Sequence, residues 1–422
     1  MAFETISVIG LGYIGLPTAA MFASRKKKVI GVDVNESTVN TINRGGIHIV
    51  EPELDILVQA AVNQGYLKAT LTPEPADAFL IAVPTPFMSC EKGEIPKPDL
   101  KYIKSAARAI APVLKKGDLV ILESTSPVGA TEKMAEWLAE ARTDLSFPQS
   151  AGEGSDVRVA HCPERVLPGH VVRELVENDR VIGGLTPKCS QYAVELYKTF
   201  VEGECVITNS RTAEMAKLTE NSCRDVQIAF ANELSVICDK LNIDVWELIS
   251  LANRHPRINI LQPGPGVGGH CIAVDPWFIV SKTPEQAQLI HSARNVNDAK
   301  PEWVINKVKI AISNFLQANP SKTVKDITIA CYGLAFKPDI DDLRESPALN
   351  ITKKIALMHS GRVLAIEPNI LRLPDGLEGI ELTSVEVADS DADIQLLLVD
   401  HKEFKQIKPK AGLLIDTKGI WK

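Results

Sequence analysis

Long apolar runs and a positive net charge are both missing from this 422-residue sequence. The longest uninterrupted apolar runs, such as Ala78–Val83 and Leu396–Val399, are far shorter than the roughly 20 residues that span a bilayer. Lys and Arg number 46 against 53 Asp and Glu, a net charge of −7, which disfavours nonspecific binding to nucleic acid or to anionic lipid. No signal-peptide pattern precedes the first apolar run, Ile6–Ile9. We therefore expect a soluble, cytoplasmic protein with no membrane or nucleic-acid partner.

Paired cysteines are missing as well. None of the eight cysteines forms a Cys-x-x-Cys pair: Cys90, Cys162, Cys189, Cys205, Cys223, Cys238, Cys271 and Cys331. This scatter favours thiols in a reducing compartment over a disulfide framework or a zinc site, so we predict no metal. The composition, 45% hydrophobic and 23% charged, is that of a globular protein, and the length predicts two or three domains.

The amino-terminal third carries a glycine pattern typical of dinucleotide binding. A β-branched run, Ile6–Ile9, leads into Gly10-Leu11-Gly12-Tyr13-Ile14-Gly15, and a second strand-like run, Val29–Val32, ends at Asp33, 18 residues after the last glycine. Gly10 allows the tight turn, Gly12 lets a pyrophosphate approach the backbone and Gly15 lets helix pack on strand. Asp33 would accept hydrogen bonds from a ribose 2′-hydroxyl and repel a 2′-phosphate. The predicted cofactor is NAD, held by Gly10, Gly12, Tyr13, Ile14, Gly15 and Asp33; the alternative is an ordinary strand-to-helix turn.

Polar loops follow three further predicted strands. Thr85 follows Phe79–Val83 and Thr125 follows Leu119–Leu122, while Glu164 and Arg165 follow the segment Asp156–Cys162. The carboxyl ends of strands line the ligand crevice of a doubly wound sheet, so Thr85 and Thr125 are candidates to touch cofactor or substrate. Proline-rich turns with N-capping hydroxyls are the alternative for the threonines. A surface ion pair is the alternative for Glu164 and Arg165.

The middle of the chain predicts an unusually long helix from Arg211 to about Leu241, a stretch without Gly or Pro. Lys217 and Asn221 stand four residues apart and share one face, where an ammonium and an amide would stabilise an oxyanion; a solvated face is the alternative. The helical pattern continues through Trp246–Ile249. Pro301 is predicted in the first turn of another helix that ends near Asn319.

A glycine-rich turn that we name the cysteine loop, Gly266–Asp275, contains Gly268, Gly269, His270 and Cys271. Uncovered backbone N–H groups favour a thiolate and the oxyanion that its attack would create. The alternative is a tight turn that holds a buried thiol.

The carboxyl-terminal third predicts a second, smaller parallel sheet. Strand patterns at Asp326–Tyr332, Arg362–Ile366, Ile394–Val399 and Leu413–Ile415 alternate with helical ones. The first loop has no Gly-x-Gly-x-x-Gly, which disfavours a second dinucleotide. It contains the cluster Lys337, Arg344, Glu345 and Ser346, which is consistent either with a phosphate pocket or with surface ion pairs.

Taken together, these segments resemble the UDP-glucose/GDP-mannose dehydrogenase family along essentially the whole chain. The motifs that carry the resemblance are Gly10–Pro17, Val83–Pro86, Ser124–Gly129, Glu214–Asn221, Phe230–Glu233, the cysteine loop and Gly333–Pro338. The resemblance implies an α/β fold with an NAD-binding Rossmann domain at residues 1–205. It also implies a central helical domain with the cysteine loop and a dimer interface at 206–318, and a Rossmann-like UDP-binding domain at 319–422.

The resemblance also implies residue roles. Cys271 would be the nucleophile, Lys217 and Asn221 its oxyanion partners, and Asp275 an orienting residue. Thr125 and Glu164 would assist the hydrolytic water. Substrate contacts are expected from Glu164, Arg165, Lys217, Asn221, Arg257, Gly268, His270, Lys337 and Arg344, with Arg257 resembling an arginine that crosses from a neighbouring subunit.

The run His270 to Phe278 and the segment Pro163–Gly169 resemble the branch of the family that oxidises UDP-N-acetylhexosamines. The expected substrate is UDP-N-acetyl-D-mannosamine, used for bacterial surface polysaccharide such as enterobacterial common antigen. UDP-N-acetylglucosamine and UDP-glucose are alternative substrates. A two-electron hydroxyacid dehydrogenase and a non-enzymatic sensor of NAD or nucleotide sugar are alternatives of other classes.

Overall fold

The computed structural model of the chain describes residues 3–49, 51–89, 91, 93–167, 169–269, 271–409 and 412–421. The chain divides into two compact units, Met1–Glu220 and Asn221–Lys422. Among the described residues, no helix combines the length and the apolar character needed to cross a membrane.

The first unit is built on one large sheet. Its strands are β1 (Thr5–Ile9), β2 (Lys28–Val32), β3 (Leu67–Thr70), β4 (Ala78–Ile81), β5 (Leu119–Leu122), β6 (Arg158–His161), β7 (Arg180–Gly184) and β8 (Cys205–Asn209). Their order is β3-β2-β1-β4-β5-β6-β7-β8, with β6 and β7 antiparallel and the other neighbours parallel. The order reverses between β1 and β4, the point at which sheets of this kind bind ligands.

Helices cover both faces of this sheet, which is why its central strands are short, continuously apolar runs. They are α1 (Gly15–Ser24), α2 (Glu36–Asn43), α3 (Leu54–Asn63), α4 (Lys101–Ile110), α5 (Ala130–Ala141), α6 (Pro148–Ala151), α7 (Val171–Glu177) and α8 (Pro187–Tyr197), with 3-10 turns at Ala111–Val113 and Gly152–Gly154. One apolar core includes Phe22 and Leu196, and the other includes Met134 and Leu138. The α1 segment, rich in small residues, is buried from Gly15 to Ala23.

The predicted long helix is confirmed as α9 (Ser210–Leu241), which begins in the first unit and ends in the second. The predicted helical conformation of Trp246–Ile249 is confirmed, but these residues do not continue α9, which ends at Leu241. Asn242 has a left-handed φ of 54°, and the N–H of Ile243 donates to the carbonyl of Cys238 at 2.8 Å. A separate helix, α10 (Val245–Ala252), begins where the Asp244 carboxylate accepts the N–H groups of Trp246 and Glu247.

Pro301 does not lie in a first turn. After α11 (Asp275–Lys282), the helix α12 runs from Gln288 to Ala318 with Pro301 inside it. The predicted end near Asn319 is confirmed, but the predicted beginning is wrong. Arg294, Asn297 and Lys300 are buried on the packing face, so this half of the helix hides polar side chains where a periodicity argument expects apolar ones.

The predicted second parallel sheet is confirmed. It contains β9 (Ile329–Tyr332), β10 (Val363–Ile366), β11 (Ile380–Leu382), β12 (Ile394–Leu397) and β13 (Leu413–Asp416) in the order β11-β10-β9-β12-β13, all parallel, with helices α13 (Pro347–Met358) and α14 (Val385–Asp391) and 3-10 turns at Val324–Asp326 and Lys402–Gln406. Val304 and Val308 of α12 pack on Ile329 and Leu396 of this sheet. The predicted class, an α/β protein with two Rossmann-like sheets and a central helical region, is therefore confirmed.

Candidate functional site

The glycine loop after β1 is held by backbone bonds and one carboxylate. Gly10 has a φ of 92° and donates its N–H to the carbonyl of Val32 at 2.8 Å. The N–H of Leu11 donates to Asp33 Oδ2 at 3.0 Å, and Asp33 Oδ1 accepts the N–H of Asn35 at 2.9 Å. The second strand thereby fixes the turn that follows the first.

The loop is tight at two glycines and open at the third. A Cβ on Gly15 would lie 1.8 Å from the carbonyl oxygen of Gly10, and a Cβ on Gly10 would lie 2.5 Å from that of Ala82. A Cβ on Gly12 would meet nothing within 4 Å. Open backbone at Gly12, the start of α1 and the half-exposed Asp33 together fit a dinucleotide with an unphosphorylated ribose. Ile14 is half-buried and Tyr13 is 38% exposed beside them.

Thr85 and Thr125 lie at the carboxyl edge of the same sheet, in the loops after the adjacent strands β4 and β5. Both are half-buried. The Thr85 hydroxyl is shielded from solvent and makes no hydrogen bond with the residues that the structure describes. Ser124 donates its hydroxyl to the Val83 carbonyl at 2.7 Å and so joins the two loops. The topology thus brings both threonines to the edge that carries the glycine loop.

Glu164 is buried after β6 and ion-paired. Its Oε2 lies 2.7 Å from an Arg180 guanidinium nitrogen, and its Oε1 accepts the N–H of Arg165 at 2.6 Å. Arg180 is buried over the ring of Tyr197, 5.0 Å from its centroid. Arg165 pairs with Glu220 at 2.6 Å. The alternative of an ordinary surface pair therefore does not hold for Glu164, whose partner is the buried Arg180.

A second carboxyl group, Glu123, shares this buried cluster and was not predicted from the sequence. It accepts a hydrogen bond from the Tyr197 hydroxyl at 3.0 Å and lies 3.9 Å from Arg180. Burial, and then the charge of Glu164, raise its pKa to about 8, although Arg180 opposes the shift. One arginine thus faces two buried carboxyl groups, and burial shifts Glu123 toward its protonated form.

Glu214 anchors the beginning of α9 and was also missed as a functional candidate. It is buried and accepts the N–H groups of Gly129 and Thr131, at 2.6 and 2.8 Å, and the Thr131 hydroxyl at 2.7 Å. These donors lie at the amino-terminal end of α5, where a carboxylate is stabilised. Glu214 therefore fixes the turn that ends the Thr125 loop.

On α9, the two residues predicted to share a face differ in their partners. Lys217 is half-buried and forms no hydrogen bond or ion pair within the part of the chain that the structure describes. Asn221 donates its amide to Asp275 Oδ2 at 2.5 Å. Asp275 is buried as the first residue of α11. A carboxylate therefore orients the amide of Asn221.

Cys271 is exposed in the cysteine loop, so the alternative of a buried thiol is wrong. Its own carbonyl accepts the N–H groups of Val274 and Asp275, at 3.0 and 2.8 Å, which start α11 immediately after the cysteine. His270 lies outside the described residues.

The glycines of the cysteine loop pack against the first loop of the second sheet. A Cβ on Gly268 would lie 2.6 Å from the carbonyl oxygen of Glu345, and a Cβ on Gly269 would lie 3.1 Å from the Phe336 ring. A Cβ on Gly266 would lie 3.0 Å from Pro347. A side chain would clash at Gly268 and would be strained at Gly266 and Gly269, which have positive φ angles of 152° and 82°. The loop that carries Cys271 thus packs closely against the loop that carries Lys337 and Arg344.

Lys337 is half-buried and Arg344 is exposed. The Arg344 guanidinium pairs with Asp342 through Nε at 2.9 Å and through a terminal nitrogen at 2.5 Å. Ser346 is buried, donates to the Leu334 carbonyl at 2.6 Å and caps α13. Arg257 is exposed after α10. Local bonds thus occupy Ser346 and Arg344, whereas Lys337 forms no hydrogen bond or ion pair with the residues that the structure describes.

Three domains of one protein family match consecutive parts of the chain. The UDP-glucose/GDP-mannose dehydrogenase family matches through its NAD binding domain at residues 4–201, its central domain at 211–299 and its UDP binding domain at 330–422.

Similar proteins agree with this match over full length. The UDP-N-acetyl-D-mannosamine dehydrogenase of Yersinia pestis is 67% identical over 100% of both chains. An NDP-N-acetyl-D-galactosaminuronic acid dehydrogenase of Ralstonia nicotianae is 63% identical over 99% of this chain and 96% of its own. The solved structure of a UDP-D-ManNAc dehydrogenase from Pyrococcus horikoshii is 38% identical, covers 99% of this chain and 96% of its own, and has a TM-score of 0.87.

Proposed function

Because the chain belongs to the UDP-glucose/GDP-mannose dehydrogenase family, we propose that it oxidises the C6 hydroxymethyl group of UDP-N-acetyl-D-mannosamine to the uronate. It is an NAD-dependent nucleotide-sugar dehydrogenase. The names of its relatives support the N-acetylated sugar. The observation that carries the proposed chemistry is Cys271, exposed in a glycine-rich loop whose end is tied to Asn221 through Asp275.

Oxidation of an alcohol to a carboxylate removes two hydride equivalents and adds one water. The Gly10–Gly15 loop and Asp33 would hold one NAD in each of two rounds, and each NAD would supply a hydride acceptor and leave as NADH before the next is bound. The thiolate of Cys271 adds to the intermediate aldehyde to give a thiohemiacetal. Its oxidation leaves a thioester, which water hydrolyses to the uronate with return of the thiol.

The side chains have distinct proposed roles in these steps. Lys217 and Asn221 stabilise the oxyanions, each such donor being worth on the order of 3 kcal/mol, and Asp275 orients the Asn221 amide. Thr125 and Glu164 assist the hydrolytic water, the latter as a carboxylate paired with Arg180. Thr85 contacts the cofactor. Arg165, Arg257, Gly268, His270, Lys337 and Arg344 bind the nucleotide sugar.

The proposed domains are an NAD-binding domain at residues 1–205, a central domain at 206–318 and a UDP-binding domain at 319–422. The protein is further proposed to act in the cytoplasm as a homodimer, for synthesis of surface polysaccharide of the enterobacterial common antigen type. An exposed apolar stripe on α9 supports the dimer: Phe230, Ile237 and Leu241 are 52%, 44% and 60% exposed at helical spacing.

An NADH assay tests this function. Purified protein is given UDP-ManNAc, UDP-GlcNAc, UDP-GalNAc, UDP-glucose and GDP-mannose, and we expect two NADH per UDP-ManNAc. One NADH per sugar would indicate a two-electron dehydrogenase, and ligand binding without NADH would indicate a sensor. Faster oxidation of UDP-GalNAc would transfer the assignment to the activity named for the Ralstonia relative.

Substitution of the nucleophile tests the covalent step. Cys271→Ser is expected to bind substrate but to fail to complete turnover, while Cys223→Ser, at another exposed cysteine, keeps wild-type activity. Near-normal uronate production by Cys271→Ser would contradict the covalent mechanism.

A further inference from the structure

Four buried polar side chains connect the helices α9 and α12, and we name them the polar ladder: Asp225, Asn232, Arg294 and Asn297. None is more than 1% exposed. Asp225 Oδ1 accepts from Arg294 at 2.6 Å and from the Asn297 amide at 2.8 Å. The amide of Asn232 donates to Asn297 Oδ1 at 2.8 Å. Each side chain thus forms a hydrogen bond with a side chain on the other helix.

The polar ladder is bonded to the chain on both sides of Cys271. Asn232 Oδ1 accepts the N–H of Gly264 at 2.9 Å, seven residues before the cysteine. Arg294 approaches the carbonyl oxygen of Ile272, the next residue after the cysteine, at 3.4 Å. The segment that presents the sulfur is therefore held at two points by one buried network.

The geometry of these bonds leaves little freedom. Asn232 donates on one side and accepts on the other, so the orientation of its amide is fixed. The fork of Arg294 reaches Asp225 and also Asp298, the latter through a short contact. Apolar side chains of similar volume would often pack two helices equally well. Helix packing alone therefore does not account for these polar side chains, whereas support of the cysteine loop does.

We propose that Asn232 and Arg294 are positioning residues for Cys271, which hold the backbone at Gly264, just before the cysteine loop, and at Ile272 within it, and so aim the sulfur at the aldehyde. This inference rests on the proposed covalent role of Cys271. The two residues do not touch the substrate in this role, since they act through main-chain groups of the loop. Only the half of the reaction that needs the sulfur depends on them.

A single-turnover experiment separates the two halves. The nucleotide sugar is the one that the wild-type enzyme oxidises in the substrate panel described above. It is mixed with NAD and an excess of enzyme, and the formation of NADH is followed over time. In Asn232→Leu and in Arg294→Lys the first NADH should form at the wild-type rate. The second should form about tenfold to a hundredfold more slowly, because misplacement of a reacting group by about 1 Å costs this much. Asn43→Leu in the first unit is the matched control. The Asn43 amide donates to the Ala69 carbonyl at 2.9 Å and accepts the Ala69 N–H at 2.8 Å, so this substitution also removes side-chain hydrogen bonds to the backbone.

Hydrogen exchange gives a second measurement that needs no substrate. Peptides that span Gly264 to Ile272 should exchange about tenfold faster in Asn232→Leu than in the wild type, because a backbone bond to the loop is lost. Equal slowing of both NADH phases, or wild-type rates of both in a folded Arg294→Lys variant, would overturn the inference. Failure of the covalent mechanism itself would appear separately, as two NADH per sugar from Cys271→Ser.

Discussion

The loops after β1 and β9, one in each unit, use the same backbone device for different ends. Each begins with a glycine at a φ of 92°, Gly10 or Gly333. In each, an acid at the end of the next strand accepts N–H groups of the loop: Asp33 accepts from Leu11 at 3.0 Å, and Glu367 accepts from Leu334 at 2.7 Å. The shared device fixes a tight turn at the carboxyl edge of a parallel sheet.

The two loops differ in what remains open. Gly12 has open space beside its Cα and Asp33 is half-exposed, so the first loop is left for a ligand. Glu367 is buried and lies 3.0 Å from a buried nitrogen of His401, and the second loop packs on the glycines around Cys271. The same turn is thus left open in one unit, where we propose that it holds NAD, and supports the cysteine loop in the other.

Among the substitutions considered, removal of the His401 side chain should produce the largest difference in stability between the two loops. His401→Ala removes the imidazole partner of the buried Glu367 and leaves it the Asn369 amide and backbone N–H groups, so we expect the free energy of unfolding to fall by about 1.5–3 kcal/mol. Urea unfolding followed by tryptophan fluorescence is a suitable measurement, because four of the five tryptophans lie in the second unit. An unchanged urea midpoint would mean that this pair does not stabilise the second loop.

The matched change in the first loop is Asp33→Asn. It keeps an acceptor for the N–H of Leu11, so stability should change by less than about 0.5 kcal/mol. The preference for NAD over NADP, measured by titration with each cofactor, should decrease, since the charge that repels a 2′-phosphate is gone.

Glycine substitutions should show the difference between a filled and an open position. Gly15→Ala forces a methyl group to within 1.8 Å of the Gly10 carbonyl oxygen, and we expect a loss of about 1–3 kcal/mol in thermal unfolding. Gly12→Ala should be nearly neutral for folding but should weaken NAD binding about tenfold, measured by titration. Gly333→Ala, 2.4 Å from Val399, should behave like Gly15→Ala. Tight NAD binding by Gly12→Ala would place the pyrophosphate elsewhere.

The last contrast between the units concerns pH, because they bury carboxyl groups with opposite pKa shifts. Burial raises the pKa of Glu123 to about 8, whereas His401 and backbone N–H groups overcome burial and lower the pKa of Glu367 to about 2. Glu123 binds a proton in the folded state that the unfolded chain releases above about pH 4.5. Stability should therefore fall as pH rises from about 4.5 to about 8, by at most about 1.4 kcal/mol per pH unit.

Glu123→Gln should remove this slope in unfolding measured between about pH 5 and pH 8. The Glu367 contribution runs the other way: it is present above about pH 4.5 and is lost as pH falls toward about 2. A slope in the Glu123→Gln variant equal to that of the wild type would contradict the assignment of the proton to Glu123.

Local patterns made the glycine loop, α9 and the cysteine loop predictable from sequence. In each, the residues that define the feature lie within one turn or one helix, so spacing alone places Lys217 and Asn221 on a face. Four separated strand patterns likewise predicted most of the second sheet, while β11, three partly exposed residues, gave no such pattern.

The buried polar contacts were beyond the reach of such patterns. Arg294 and Asp225 are 69 residues apart, and Glu367 and His401 are 34 apart. A charged residue is ordinarily a surface residue, and only the tertiary fold reveals its buried partner. The beginning of α12 was predicted in the wrong place for the same reason, because its packing face is polar and a proline lies within the helix.

The tight packing of Gly266, Gly268 and Gly269 constrains any effort to engineer the sugar that is accepted. Combinatorial libraries that randomise this stretch should contain many destabilised variants, because a methyl group at Gly268 collides with Glu345, Pro347 and Phe336, and because Gly266 and Gly269 have positive φ angles. Val267 and Ile272 are better positions for such diversity, because their side chains are half-buried and not required to be absent.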